Sequence, residues 1–339
     1  MAPHIWFFHY WAKAVCALFF RVVLRKGFES PKIHEHTQCF HEHTQRLHEH
    51  TQCLHEHSQR PRLYALNHTN SFLDPVLFAV QRRQPLHFLA RGDVLYGFAW
   101  GILPRIFPLL PVWRRREGQA QLKGNYSTFE RCFEVWKQDG AVVIFSEGLC
   151  LNRVGLKPLL KGTARLVWQS YERGLDLEVV PVGVCYEHFN GTGKAARVSM
   201  GAPMEWRNLA QCTSSPAHFY QSFNAALASA MADCMVDPEE TGSAAKFWSV
   251  LPPRRAWQRM ARLLSAVLHF PISAPARLLS KALTQGTVHF DSVYFVVLML
   301  AYPFSLLLLL VVGIGFFPAH ALVVCLWVGL LPAIAWMGR

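Results

Sequence analysis

Short apolar runs and longer amphipathic ones alternate through the middle of the chain. Residues 63–66, 141–145 and 177–184 are short and almost wholly apolar, the pattern of strands buried on both faces. Residues 123–139 and 162–172 instead space their apolar positions three and four apart, as helices do. Strand-like and helix-like segments in alternation predict an α/β domain, a mixed sheet flanked by helices, over residues 61–240. That length can bury a core of its own.

Toward the C-terminus the periodicity disappears. Residues 293–312 carry no charge and the apolar run continues through Phe317. A second uncharged run, 321–338, follows the break Pro318-Ala319-His320. Each approaches the ~20 residues that a helix needs to cross a bilayer, so residues 291–339 read as a transmembrane helical hairpin. Residues 241–290 hold seven basic side chains (Lys246, Arg254, Arg255, Arg259, Arg262, Arg277, Lys281) and no acid, the pattern of a basic amphipathic juxtamembrane segment. With Arg339 at the other end, positive charge flanks both legs, which predicts an integral membrane protein with its main domain on the cytoplasmic face.

Two segments precede the α/β block. Within residues 1–30, positions 5–24 are aromatic and apolar but carry His9, Lys13 and Arg21. This suits a helix lying in the membrane interface better than a cleaved signal peptide or a span. Residues 33–60 contain a tandem repeat of seven, HEHTQCF, HEHTQRL, HEHTQCL, HEHSQR, with eight of the seventeen histidines. One apolar residue per seven is too little for a coiled-coil seam, so a solvated, disordered insert is the expectation. Clustered imidazoles with Cys39 and Cys53 leave metal binding as the alternative, and with it the reading of a non-enzymatic, histidine-rich membrane protein.

Composition narrows the partners. The chain is 52% hydrophobic with only 17% charged residues, which excludes overall disorder. A net charge of +12 favours an anionic membrane surface or an acidic substrate. The basic residues gather beside the apolar hairpin, which argues against nucleic acid. Nine cysteines without a CxxC pair do not form a disulfide framework. Gly191-Thr192-Gly193-Lys194 lacks the first glycine and the Ser/Thr of a phosphate loop and reads as a turn.

Candidate chemistry gathers where strands end. After the first predicted strand come Asn67-His68-Thr69-Asn70-Ser71-Phe72-Leu73-Asp74-Pro75. A carboxylate that accepts from one imidazole nitrogen fixes the tautomer and leaves the other nitrogen to take a proton, as a general base must. On a regular helix, six residues turn through about 600°, so His68 and Asp74 would face apart. They meet only if residues 68–71 form a loop that opens a helix near Phe72, which the Asn and Ser content allows. Phe145-Ser146-Glu147-Gly148 closes another predicted strand, with amides that could meet an anionic or oxyanionic group. Residues 110–113 lead into Arg114-Arg115-Arg116, guanidiniums suited to a phosphate. No G-x-S-x-G elbow is present.

In these blocks the chain resembles the glycerolipid acyltransferases of the phosphatidate-forming type. His68 to Asp74 resembles the family's His-x4-Asp signature, with five intervening residues as in a sub-branch of glycerol-phosphate and lysophosphatidate acyltransferases. Residues 110–114 resemble the second block, whose terminal arginine, here Arg114, contacts the acceptor phosphate. Phe145–Gly148 resembles Phe-Pro-Glu-Gly-Thr-Arg, with Ser146 for proline and Leu149-Cys150 for Thr-Arg. Lys161-Gly162-Thr163-Ala164 and Val180-Pro181-Val182 are similar to the later blocks. The resemblance implies a membrane-bound O-acyltransferase of phospholipid biosynthesis. It would move a fatty acyl group from acyl-CoA or acyl carrier protein, a co-substrate rather than a cofactor, to lysophosphatidate, or alternatively to glycerol 3-phosphate or dihydroxyacetone phosphate. His68 and Asp74 would be catalytic, and Arg114, Glu147 and Gly148 would border the acceptor. Arg153, Lys157 or Lys161 would stand in for the missing arginine.

Overall fold

The computed structural model describes residues 24–25, 60–82, 84–92, 108–113, 119–190, 194–213, 215–235, 256–320 and 323. The histidine repeat, Arg114 and the second apolar run (321–338, apart from Val323) were expected in segments that lie outside these residues, and so was the interfacial helix of residues 1–30 except at Leu24–Arg25, which pair as a strand with Lys194–Ala195 instead of continuing a helix.

The described strands are β1 (Leu24–Arg25), β2 (Arg62–Leu66), β3 (Leu86–Arg91), β4 (Leu109–Val112), β5 (Ala141–Phe145), β6 (Glu178–Tyr186) and β7 (Lys194–Met200). They form one sheet in the order β1-β7-β6-β2-β5-β3-β4. All neighbours run parallel except the hairpin β6–β7. The mixed α/β sheet is therefore as expected, and the two-residue β1 adds a parallel edge beside β7.

Side chains alternate across each strand, and the two faces build two cores. Tyr64 and Leu66 of β2 join Val180, Val182 and Val184 of β6 on one face. Leu63 and Ala65 lie on the other with Val142 and Val179. Helices α2 (Gln119–Lys137), α3 (Lys161–Glu172), α4 (Trp206–Gln211) and α5 (Pro216–Ala232) cover the second face. Their Phe133, Trp136, Leu166, Val167, Phe219 and Phe223 are all buried there.

The first face is covered differently. Helix α1 (Leu73–Ala79) contributes Leu73, Leu77 and Phe78. The rest comes from the base of a two-helix unit, α6 (Ala256–Leu283) and α7 (Phe290–Phe316), through Ala276, Phe290, Tyr294, Phe295 and Leu298. His269 Nε2 meets Tyr302 Oη at 2.8 Å across this pair, so the helices run antiparallel. Beyond its buried first turns α7 exposes Leu300, Phe304, Leu307, Leu308 and Phe316. At 27 residues it extends about 40 Å, more than the ~30 Å hydrocarbon thickness. Both helices are long and apolar enough to cross a membrane. The hairpin visible here thus pairs 256–283 with 290–316, whereas the sequence suggested 293–312 with 321–338. Residues 241–290 were expected to be juxtamembrane, and α6 carries their apolar stripe: Met260, Leu263, Val267 and Phe270 are all exposed.

Candidate active site

Register explains why the chemical groups converge. Leu66 pairs with Phe145 and also with Val182, placing β2 at the middle of the sheet. Two residues beyond the Leu66–Phe145 pair, His68 and Glu147 leave the carboxyl ends of adjacent parallel strands. That is where open α/β sheets hold their ligands. The His68 ring stacks on Phe145, centroids 4.1 Å apart, which fixes one face of the imidazole.

From His68 the chain makes a tight loop rather than continuing into a helix. Ser71 takes a left-handed conformation (φ 44°), and α1 begins at Leu73. The turn brings Asp74 back beneath His68, with Asp74 Oδ2 2.8 Å from His68 Nδ1. The same oxygen accepts from the backbone N–H groups of Thr69 and Asn70, each at 2.8 Å. Asp74 Oδ1 accepts from the Tyr186 hydroxyl at 2.9 Å. With two backbone donors already on Oδ2, the hydrogen-bond network assigns the ring proton to Nδ1. Nε2 is then the lone-pair nitrogen, on a side chain one-fifth exposed, above a fully buried carboxylate. Burial first, then the neighbouring Asp74, pushes the Tyr186 phenol well above its usual value, so it stays a donor.

Glu147 does something other than border an open site. It is buried, and its Oε2 accepts from the His68 backbone N–H at 2.8 Å. Lys157 closes the other side: its N–H reaches Glu147 Oε1 at 2.9 Å, and its ammonium lies 2.8 Å from Oε2 and 2.7 Å from the His68 carbonyl oxygen. Both ends of the His68 peptide are therefore held by one buried ion pair. This engages Lys157, one of the three stand-ins expected for the missing phosphate arginine.

Gly148 has φ 62°, and its N–H closes a turn onto the Phe145 carbonyl at 3.0 Å. That amide is thereby committed within the loop. Lys161 opens α3 as an exposed residue, and Arg153 is exposed as well. Cys150, in the arginine's place, accepts from the Ser71 N–H at 2.9 Å. Burial and then the Asp74 charge push its thiol up to about 12, so it is a packed acceptor rather than a nucleophile. The other described cysteines, Cys132, Cys185, Cys212 and Cys234, are also free thiols.

Sequence reasoning did not anticipate a third contribution. His289, just before α7, places Nδ1 2.8 Å from Ser71 Oγ. Burial, then Arg91 and His68, lowers its affinity for a proton. Asp291, in the first turn of α7, accepts from Asn70 Nδ2 at 2.9 Å and pairs with the fully buried Lys194. No motif spacing flags these residues, because they are more than two hundred positions from the loop they touch.

A strand-end imidazole oriented by a buried carboxylate, without a serine or cysteine nucleophile among these contacts, is suited to removing a proton from a bound hydroxyl or water. Among known families, the acyltransferase model matches residues 42–185. This stretch is an acyltransferase-family domain. It includes the His68–Asp74 loop, the Glu147–Gly148 turn and Lys161, together with Arg114. The match supports an acyltransferase role in lipid synthesis. No curated protein matches the chain.

Proposed function

We propose that this acyltransferase is membrane-bound and transfers a fatty acyl group from acyl-CoA or acyl carrier protein to the free hydroxyl of lysophosphatidate, giving phosphatidate. The observation that carries the reading is the His68–Asp74 pair: Nδ1 is held at 2.8 Å by a carboxylate with three further donors, which leaves Nε2 as the base. The acceptor hydroxyl gives its proton to Nε2 while its oxygen attacks the thioester carbonyl carbon. The tetrahedral adduct collapses, the C–S bond breaks, and the imidazolium returns the proton to the departing thiolate. An ester and a free thiol result, with no acyl-enzyme. Asp74 stabilises the transient imidazolium throughout, as in other His–Asp pairs.

Arg114 is assigned to the acceptor phosphate, with Lys161 and Arg153 as further cations around it. Glu147 and Gly148 act on the acceptor side by shaping the loop: Glu147 holds the His68 peptide, and Gly148 allows the left-handed turn. Helix α7 supports the lipid acceptor and a membrane-bound state, since beyond its buried first turns it carries an exposed apolar surface away from one face of the catalytic sheet.

The test is thiol release from labelled acyl-CoA and acyl carrier protein by membranes that contain the chain. The acceptors are glycerol, glycerol 3-phosphate, dihydroxyacetone phosphate and lysophosphatidate. Turnover is expected with lysophosphatidate and lost in His68→Ala, with membrane association retained. Full activity in His68→Ala, or a preference for glycerol, would overturn the assignment.

A further inference from the structure

The loop that carries the catalytic pair is not held by the sheet alone. Asn70 donates its backbone N–H to Asp74 Oδ2, so the position of Asn70 helps set the carboxylate that orients His68. Asn70 is in turn gripped by the first turn of α7. Its side-chain amide donates to Asp291 Oδ2 at 2.9 Å, and its carbonyl accepts from Ser292 Oγ at 3.3 Å. The next residue, Ser71, sits in the left-handed region, which a non-glycine residue occupies at a cost of about 1–2 kcal/mol. There it is pinned by His289 on one side and Cys150 on the other. Asn152, with its amide nitrogen turned toward them, spans the Thr69 and Val288 carbonyls at 2.8 and 3.3 Å. Residues 69–71 are therefore clasped between the loop that follows β5 and the start of α7.

Asp291 is the centre of this clasp. The same Oδ2 also accepts from the Asn190 N–H at 3.1 Å, and Lys194, buried at the start of β7, supplies the countercharge. Burial pulls the Lys194 ammonium below the usual lysine range, and Asp291 works against that. As an anchor for a helix the arrangement is costly. Desolvating two charges offsets much of their attraction, and an apolar pair of similar volume would hold α7 to the sheet as firmly. Asp291 Oδ1, Asn70 Oδ1 and Thr69 Oγ1 are also buried with no partner among the described residues, each at a cost of about 1–3 kcal/mol. What an apolar pair could not do is accept a hydrogen bond from Asn70.

We propose that Asp291 is a positioning residue for catalysis: from the first turn of the membrane-length helix α7, and neutralised by Lys194, it holds Asn70 and thereby the Asp74–His68 pair in reacting geometry. The inference rests on the acyl-transfer reading above and adds that α7 completes the active site as well as anchoring the chain. A catalytic carboxylate displaced by about 1 Å can cost on the order of 100-fold in rate.

Two double variants of the full chain separate positioning from packing. Asp291→Asn with Lys194→Met removes both charges but keeps an oxygen that can accept from Asn70. Asp291→Leu with Lys194→Met removes the charges and the acceptor together. Both escape the penalty of an unpaired buried charge; the Leu variant strands the Asn70 amide and is expected to unfold at a lower midpoint, so kcat is compared at a temperature where both melts show folded protein. The Asn variant is expected to keep kcat within about threefold of the wild type, while the Leu variant loses about 30- to 100-fold in kcat with the KM for acyl donor little changed. Equal kcat values in the two variants would overturn the proposal. Should the Leu variant not fold, Asn70→Ala, which leaves the ion pair intact, decides: a drop in kcat of about tenfold or more supports the proposal, and an unchanged kcat overturns it. A wild-type chain without His68-dependent acyl transfer would instead sink the proposed function itself, and this inference with it.

Discussion

Substituting Asp74→Asn tests the electrostatic part of the His–Asp pair while leaving its shape in place. Oδ2 receives three donors, from His68 Nδ1, Thr69 and Asn70. Two of them are backbone N–H groups that cannot turn into acceptors, so the oxygen of the substituted amide must occupy that corner. Its nitrogen then faces the Tyr186 hydroxyl, which can rotate its hydrogen away and accept. The fold and the Nδ1–H tautomer therefore survive, and only the negative charge is lost. Unit charges about 4 Å apart at an effective dielectric near 20 interact by roughly 4 kcal/mol. The neutral hydrogen bond that remains, and the one-fifth exposure of His68, reduce the net loss to about 2–3 kcal/mol. That corresponds to a fall in kcat of roughly 30- to 150-fold. Thiol release from acyl thioester at saturating acceptor reads it, alongside a thermal melt to show that the fold persists. A kcat within about threefold of the wild type would remove the pair from the chemistry. A loss of about 10⁴-fold in a folded variant would show that the backbone amides do not enforce the tautomer, because a loss of that size accompanies the wrong one.

Other consequences can be checked independently. Lys157→Met strands the Glu147 carboxylate, whose side chain is fully buried, and should cost about 3–5 kcal/mol in thermal or denaturant unfolding, most of it recovered by adding Glu147→Gln. A Lys157→Met chain as stable as the wild type would exclude that ion pair as a support of His68. With its thiol near 12, Cys150 is expected to resist iodoacetamide at pH 8 while the exposed Cys212 labels, as peptide mass spectrometry would reveal. Because His289 binds a proton less readily folded than unfolded, the unfolded chain takes up more protons as pH falls below the ordinary histidine value. Stability should therefore rise as pH approaches the ordinary histidine value of 6.5 from below and level off above it, and His289→Gln should flatten that slope in denaturation midpoints; an unchanged slope would contradict the burial.

The parts of the fold legible in the sequence are those whose burial is symmetrical. Strands β2, β5 and β6 lie at or beside the centre of the sheet, covered on both faces, so they read as continuous apolar runs. β3 and β4 escaped detection for opposite reasons. β3, Leu-His-Phe-Leu-Ala-Arg, is only partly covered and mixes polar residues into the run. β4 carries Pro111, tolerated because the strand lies at the edge. The loop geometry of His68 and Asp74 was legible as a condition, a turn opening a helix near Phe72, and the chain meets it at Leu73. Glu147 was legible as a strand-end carboxylate near His68, but its partner was not: Lys157 returns to it through an irregular loop that no periodicity marks. Asp291 and Lys194 lie 97 positions apart, and only the tertiary fold could pair them. The failed phosphate-loop motif at residues 191–194 thus ends in a lysine with a structural partner.

The antiparallel pairing of α6 and α7 also fixes how the two would meet a bilayer. Their connection, 284–289, lies against the catalytic loop, where His289 meets Ser71. His269 of α6 and Tyr302 of α7 meet near the middle of both helices, so on the membrane reading the two enter the same apolar layer side by side. The depth that α7 reaches is then shared by the exposed Met260, Leu263, Val267 and Phe270 of α6, and the lipid-facing surface is broader than one helix.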